Sequence, residues 1–264
     1  MEPEIITQII TQEEESYEAP KFEILVERFQ AKVGMIPEDC RQAILYWHMA
    51  KRVQESRIAM TNRVGQIIKI GQKVFWTDAV PDEIKAVMTE DPKQIKQVKL
   101  LEDKYVRLCE KNFKQSRWYN EVALPAAEGV GLGPLLAGSL LWTIGDAKRF
   151  ESFGRIVRYA GLDVTQDGKS PKRRKGHRVS WSPELRTTIF KLTEGWNKMP
   201  ESVWRARWDA FKAIYRERFP DKEIYIEGCK KKTRYNDGHI HNMARRKVQR
   251  EFLRNLYHLW IEFE

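Results

Sequence analysis

A glycine-rich segment near the middle of the chain has the composition of a phosphate-binding turn. Gly129, Gly131 and Gly133 alternate with apolar residues, and Pro134 follows at a position suited to the start of a helix. Glycine allows the backbone to approach a phosphate closely, and a helix N terminus favours an anion. The pattern predicts the hairpin of a helix-hairpin-helix module that binds phosphates without reading base sequence. A plain turn between two packed helices is the structural alternative.

Positive charge is concentrated in a loop that follows this segment. Residues 169–178 contain six Lys or Arg side chains and no Asp or Glu: Lys169, Lys172, Arg173, Arg174, Lys175 and Arg178. Charge of this density predicts salt-sensitive phosphate binding through counterion release. Arg245, Arg246 and Lys247 form a second basic group in the first turns of the last predicted helix. For the loop, a solvated segment or a localisation signal is the alternative, and neither excludes nucleic acid.

Side chains suited to metal or nucleophilic chemistry are few. His239 and His241 lie close to Asp237, but no other His or Cys has supporting spacing, and Asp237 also suits a helix cap. Three serines lie near cations that could stabilise a phosphoryl-transfer transition state: Ser170, Ser180 and Ser182. No set of convergent carboxylates for a two-metal nuclease is evident. We predict no catalytic residue, no metal site and no cofactor.

Composition favours an anionic partner inside the cell. The 264 residues include 47 Lys and Arg against 37 Asp and Glu, a formal net charge of +10, although the first forty residues are acid-rich. Three well-separated cysteines fit neither a disulfide framework nor a metal clip. No run of roughly 18 apolar residues occurs. We expect a cytoplasmic, nucleoid-associated protein that binds DNA or structured RNA and no membrane.

Apolar spacing predicts an all-α or nearly all-α fold. A first long helix over about residues 37–70 and a second over about 95–108 are separated by helix breakers and are expected to fold back as a long antiparallel coiled-coil hairpin. The breakers are Gly71, Asp78, Pro81 and Pro92. The apolar stripes are Leu45, Met49, Val53, Met60, Val64 and Ile67 in the first helix, and Ile95, Val98, Leu101, Tyr105 and Leu108 in the second. We expect the chain to form a homodimer through this hairpin.

The C-terminal third shows two further helical patterns. An aromatic stripe follows Pro200 and is expected to be core: Trp204, Trp208, Phe211 and Tyr215. A last helix over about residues 240–263 has Ala244, Val248, Phe252, Leu256 and Trp260 along one face. Weak strand signals occur at 223–227 and 178–181. The predicted divisions are an acidic arm at 1–40, the hairpin at 41–115, a helix-hairpin-helix domain with the basic loop at 116–195, and an aromatic-rich helical tail at 196–264.

Several motifs, in order and spacing, resemble the helix-hairpin-helix segment of a family of insertion-sequence transposases. That family carries a DEDD, RuvC-like catalytic domain and is guided by a bridge RNA. The similar motifs are Ala127 to Pro134, Ile144-Gly145-Asp146, Arg149-Phe150, Phe153, Tyr159 to Leu162 and, in the tail, Gly238 to Lys247. The resemblance extends over about residues 41–264 and is strongest at 124–162 and 237–260. It implies a DNA-binding, helical C-terminal region.

The chain departs from the family pattern at two places. The family's N-terminal domain opens with a strand that bears a catalytic Asp, and only a short acidic arm precedes the predicted hairpin here. The family places a nucleophilic Ser before a Gly shortly after the Gly161-Leu162 pair, where this chain has Asp167-Gly168, with Ser170 three residues on. The binding module is therefore the part of the family's function that we expect to be retained.

Three functional hypotheses follow. The first is a transposase-related nucleic-acid-binding protein without autonomous catalysis. The second is a recombinase subunit in which the Ser170 region acts with a separately encoded RuvC-like partner. The third is a structural protein that assembles through its helices and packages nucleic acid.

Overall fold

The structure is a computed structural model that describes residues 22–74, 82–164, 171, 176–220, 223–224, 232–233 and 235–263. Within these ranges the chain is helical apart from one two-residue ladder, in which β1 (Glu223–Ile224) pairs antiparallel with β2 (Lys232–Thr233). The predicted helical class is confirmed. The helices are α1 (Phe22–Gly34), α2 (Arg41–Val74), α3 (Asp82–Gln115), α4 (Pro134–Ile144), α5 (Phe153–Tyr159), α6 (Pro183–Asn197), α7 (Val203–Arg218) and α8 (Asp237–Glu262).

Helices α2 and α3 pack against each other as an antiparallel pair. Asp39 accepts a hydrogen bond from the Arg117 amide at the base of the pair, and Arg57 pairs with Glu102 farther along it. The predicted breaks at Gly71 and Pro92 are wrong, because α2 continues to Val74 and α3 begins at Asp82. Packing between the two 34-residue helices offsets the lower helix stability of Gly and Pro, which are less favourable than Ala by about 1 and 3 kcal/mol in a helix interior.

The buried face of α2 differs from the predicted stripe. Leu45 and Met49 are 47% and 39% exposed, whereas Ile44 and Trp47 are buried. The buried face differs because the start of α2 packs on two helices, α3 and α4. The Trp47 Nε1 donates to the Leu135 carbonyl at 2.9 Å, and Gly138 lies so close to the Trp47 ring that a Cβ there would clash with it.

One hydrophobic core connects the base of the hairpin with the C-terminal helices. Its largest members are tryptophans that are at most 1% exposed: Trp47, Trp118, Trp196, Trp204 and Trp208. The predicted α8 stripe is buried throughout, and the aromatic stripe of α7 is buried at its first two positions and half-buried at Phe211 and Tyr215. Both predictions of core are thus confirmed at these residues.

Short helical segments and caps connect these elements. A π-helical segment, Trp118–Ala123, continues into the helical turn Leu124–Ala126 and leads to the glycine segment. Ser182, Ser202 and Asn236 accept backbone hydrogen bonds at the starts of α6, α7 and α8. The strand signal at 178–181 is wrong, since those residues are irregular and lead into the Ser182 cap. No helix in the described ranges is long and apolar enough to span a membrane.

Candidate nucleic-acid interface

The glycine segment forms a tight turn that aromatic side chains hold from the inside. Trp204 Nε1 donates to the Ala127 carbonyl at 2.9 Å, and Trp196 Nε1 donates to the Val130 carbonyl at 2.8 Å. The Tyr119 hydroxyl donates to the Leu132 carbonyl at 2.7 Å. Because these carbonyls are bound by groups of the core, the turn is a rigid part of the fold.

Two glycines in the turn adopt backbone conformations that other residues rarely adopt. Gly129 and Gly131 have φ angles of 72° and 73°, and both are exposed. A Cβ at Gly131 would lie 2.9 Å from the Trp196 Nε1, whereas one at Gly129 would meet nothing within 4 Å. Gly133 is the extended N-cap of α4, with Pro134 in the first turn, and no described side chain caps that N terminus. The predicted start of a helix at Pro134 is thus confirmed.

A separate cavity of about 820 Å³ lies among α6, α7 and α8. Five cationic side chains line it, and no Asp or Glu does: Arg186, Arg245, Arg246, Lys247 and Arg250. Aromatic rings form much of the remaining wall: Phe190, Tyr215, Phe219 and Tyr235. The cavity therefore combines positive charge with apolar ring faces.

The cations in this cavity repel one another. Burial lowers the pKa of Arg186, and Arg245 lowers it further against an opposing effect of Asp163. Burial also lowers the pKa of Arg246, followed by repulsion from Arg186 and Arg245. Arg245 pairs with Glu194 at 3.1 Å, whereas no described carboxylate forms an ion pair with the Arg186 or Arg246 guanidinium. An anion would relieve this unbalanced positive charge.

The structure brings some predicted binding residues together and separates others. Arg245, Arg246 and Lys247 all line the cavity. Arg178 is described and exposed. Lys169, Lys172, Arg173, Arg174 and Lys175 lie outside the described residues. Pro171 belongs to the same loop, and its carbonyl accepts a hydrogen bond at 2.9 Å from Arg186, which lines the cavity.

The three glycines do not lie at the cavity. The turn contacts Trp196 at the C-terminal end of α6, while Arg186 and Phe190 line the cavity near its N-terminal end. Ten residues of helix separate Arg186 from Trp196, a distance of roughly 15 Å. The residues predicted to contact phosphate therefore lie at two separate places, one near each end of α6.

The histidines and serines considered for chemistry have other surroundings. His241 packs on Trp208, with ring centroids 4.9 Å apart, and His239 packs on Tyr235 at 5.4 Å. Residues two apart on a helix do not face one another, and no described group of three His, Cys, Asp or Glu could hold a metal ion. Three serines differ in environment: Ser182 caps α6, Ser180 is exposed, and Ser170 lies outside the described residues.

Sequence reasoning missed Arg186 and did not include Arg250 among the binding residues. A signal was available, because neither Arg186, Arg246 nor Arg250 has an Asp or Glu three or four residues away on its helix. By contrast, Arg205 pairs with Asp209 one turn later at 2.7 Å. Arginines without a local carboxylate are candidates for binding an external anion.

Comparisons with known proteins give one family relationship. No curated protein matches the chain. The model of the transposase IS116/IS110/IS902 family matches residues 127–209. This range begins in the glycine turn and includes α4, α5, α6 and the first part of α7. The chain therefore contains, over residues 127–209, a domain of the transposase IS116/IS110/IS902 family.

Proposed function

We propose that this chain is a transposase-related protein that binds DNA through the cationic cavity and the adjoining basic loop, without carrying out catalysis by itself. The observation that carries the proposal is the convergence of Arg186, Arg245, Arg246, Lys247 and Arg250 on a concave surface that no carboxylate lines. Arg186 and Arg246 lie there without an ion pair to any described carboxylate, and their mutual repulsion favours a phosphate ligand. The family domain at 127–209 makes a polynucleotide the natural source of that phosphate.

The glycine turn and α4 form the second part of the proposed interface. We infer that they act as a helix-hairpin-helix module, in which Gly129, Gly131 and Gly133 keep the backbone free of side chains beside a phosphate. The rigid inner hydrogen bonds support this role, because a turn that needs no reordering binds with less loss of entropy. Residues 116–195 and 196–264 would then contribute to one interface.

The hairpin is proposed to form a homodimer. Apolar side chains on its described surface support this proposal, because they are exposed although they lie on well-formed helices: Leu45, Met49, Ile58, Leu100 and Leu101. A dimer would place two binding surfaces on one assembly, so that it could hold two DNA segments together. A cytoplasmic, nucleoid-associated location is part of the same proposal.

A recombinase subunit is the second candidate function. Its support is the position of Pro171, whose carbonyl is held by Arg186 at the cavity. Ser170 directly precedes Pro171 in the chain, and cations near a serine hydroxyl stabilise the charge that develops during phosphoryl transfer. In this function a separate RuvC-like partner would supply the metal-dependent step.

A salt titration with duplex DNA tests the main proposal. Replacing Lys172, Arg173, Arg174 and Lys175 by Ala should lower the slope of log affinity against log salt by about 3 to 4, at roughly 0.9 per phosphate contact. A matched variant with the same charge change on α3, in which Lys96, Lys104, Arg107 and Lys111 become Ala, should keep the wild-type slope. An unchanged slope in the loop variant would remove the loop from the interface. Cleavage or joining of the DNA with Mg²⁺ present would favour the second candidate.

A further inference from the structure

The glycine turn contains one charged side chain, and that side chain is acidic. Among residues 127–134 it is Glu128. The Glu128 Oε1 lies 2.6 Å from the Nη1 of Arg207, which belongs to α7. The Arg207 guanidinium also lies over the Trp204 ring, 4.7 Å from its centroid, and Trp204 in turn donates to the Ala127 carbonyl. These contacts hold a cation and its carboxylate partner beside the turn.

The position of Glu128 is an unfavourable one for a glutamate. Its φ is 53°, and no other non-glycine residue in the described part of the chain has a positive φ. The Gly129 amide donates to the Leu124 carbonyl at 2.8 Å across the end of a helical segment, an arrangement in which the preceding position is usually a glycine. A negative charge is also disfavoured at a helix C terminus. Because the carboxylate is held there against both costs, its pairing with Arg207 is a candidate for a functional contact.

The ion pair can exchange its anion for another. The side chains of Arg207 and Glu128 are 38% and 27% exposed, so solvent and a ligand reach both. A guanidinium has five N–H donors, and Glu128 is the ion-pair partner of Arg207 among the described residues. Guanidinium groups bind carboxylates and phosphates with the same geometry, so a phosphate can replace the carboxylate. In the same turn, the Gly131 and Gly133 amides donate to no acceptor in the described part of the chain.

We propose that Arg207 is a phosphate ligand of the glycine turn and that Glu128 masks it in the unbound protein. A phosphate of the DNA replaces the carboxylate on the guanidinium, and the turn supplies backbone N–H donors to the same phosphate. The inference rests on the proposed function, because it assigns a cation to the turn. Since one anion replaces another, the contact adds little affinity by itself and depends on further contacts along the strand.

Binding to duplex DNA tests whether Glu128 masks a ligand. Glu128→Gln should raise the affinity about 2- to 5-fold, since an exposed ion pair has a strength in this range. Asp209→Asn is the matched control, because Asp209 pairs with Arg205 at 2.7 Å on α7 and the variant makes the same change of charge. The control should leave the affinity close to that of the wild type. An equal gain in both variants, or no gain in Glu128→Gln, would overturn the inference.

A salt series tests whether Arg207 is the ligand. Arg207→Ala is made in the Glu128→Gln background, so that no unpaired carboxylate remains, and should lower the slope of log affinity against log salt by about 0.9. An unchanged slope would exclude Arg207 as a phosphate contact.

A second variant separates the charge of Glu128 from the folding of the turn. Glu128→Gly removes the carboxylate, and glycine adopts a positive φ without strain, so it should raise the affinity as Glu128→Gln does. A gain in the Gln variant alone would contradict the masking role. If the wild type binds duplex and the loop variant lowers the slope as expected, but the slope does not respond to Arg207, only this inference fails. If no duplex binds at all, the proposed function fails with it.

Discussion

Replacement of Gly131 by Ala tests whether the glycine turn is as rigid as its contacts indicate. The residue has a φ of 73°, which costs an L residue about 1–2 kcal/mol. The new Cβ would also lie 2.9 Å from the Trp196 Nε1, whose proton is donated to Val130 at 2.8 Å. Overpacking of this kind costs about 1–3 kcal/mol. Alanine also restricts the conformations of the unfolded chain, which raises the unfolding free energy by about 0.4–1 kcal/mol. We therefore expect a net fall in unfolding free energy of about 2–4 kcal/mol.

Gly129→Ala provides the matched control. Its φ of 72° is almost the same, but its Cβ would meet nothing within 4 Å. The difference in unfolding free energy between the two variants therefore isolates the contact with Trp196, and we expect it to be about 1–3 kcal/mol. Urea unfolding, followed by tryptophan fluorescence and far-ultraviolet circular dichroism, measures it. Equal destabilisation of the two variants would show that Trp196 moves freely and would refute the account of a rigid turn.

Two further predictions concern ionisable groups near the hairpin. Burial, with nearby cations, lowers the pKa of His48 to about 4, and its Nε2 has no described hydrogen-bond partner. Above pH 6.5 the imidazole is neutral in both states, but between 6.5 and 4 only the unfolded chain gains the proton, so unfolding free energy should fall by up to about 3 kcal/mol. His48→Phe should abolish this fall and replacement of the exposed His258 should not. Glu102 is 3% exposed and pairs with Arg57 at 2.6 Å. Glu102→Ala should cost about 2 kcal/mol, and a double-mutant cycle with Arg57→Ala that shows no coupling would contradict the ion pair as the cause.

Helical periodicity correctly predicted the buried face of a helix that packs along its length on one surface. The α8 stripe lies against the core along its whole length, so the residues at spacing three and four are the buried ones. Helix α2 contacts both α3 and α4, and the second contact turns Ile44 and Trp47 inward while Leu45 and Met49 remain exposed. A periodic pattern gives a face, but the choice between adjacent faces depends on which neighbours the helix meets.

The same limit applies to the candidate site. Arg245, Arg246 and Lys247 are adjacent in the chain and could be identified as a basic group from sequence. Arg186 joins them only because α6 packs beside α8, a contact between residues about sixty positions apart. The pairing of Arg245 with Glu194, which removes much of its charge from the interface, depends on the same packing. Charge runs can therefore suggest a ligand class, but the set of unpaired cations requires the tertiary structure.

The positions of the glycine turn and the cavity favour an extended ligand. The turn contacts Trp196 and the cavity contains Arg186, so roughly 15 Å of α6 separates the two proposed phosphate contacts. A small anion could occupy only one of these places. A strand with bases about 3.4 Å apart would cover the distance in four or five steps. A polynucleotide with one phosphate at the cavity can thus place another at the turn several nucleotides away, so an extended strand accounts for both proposed contacts.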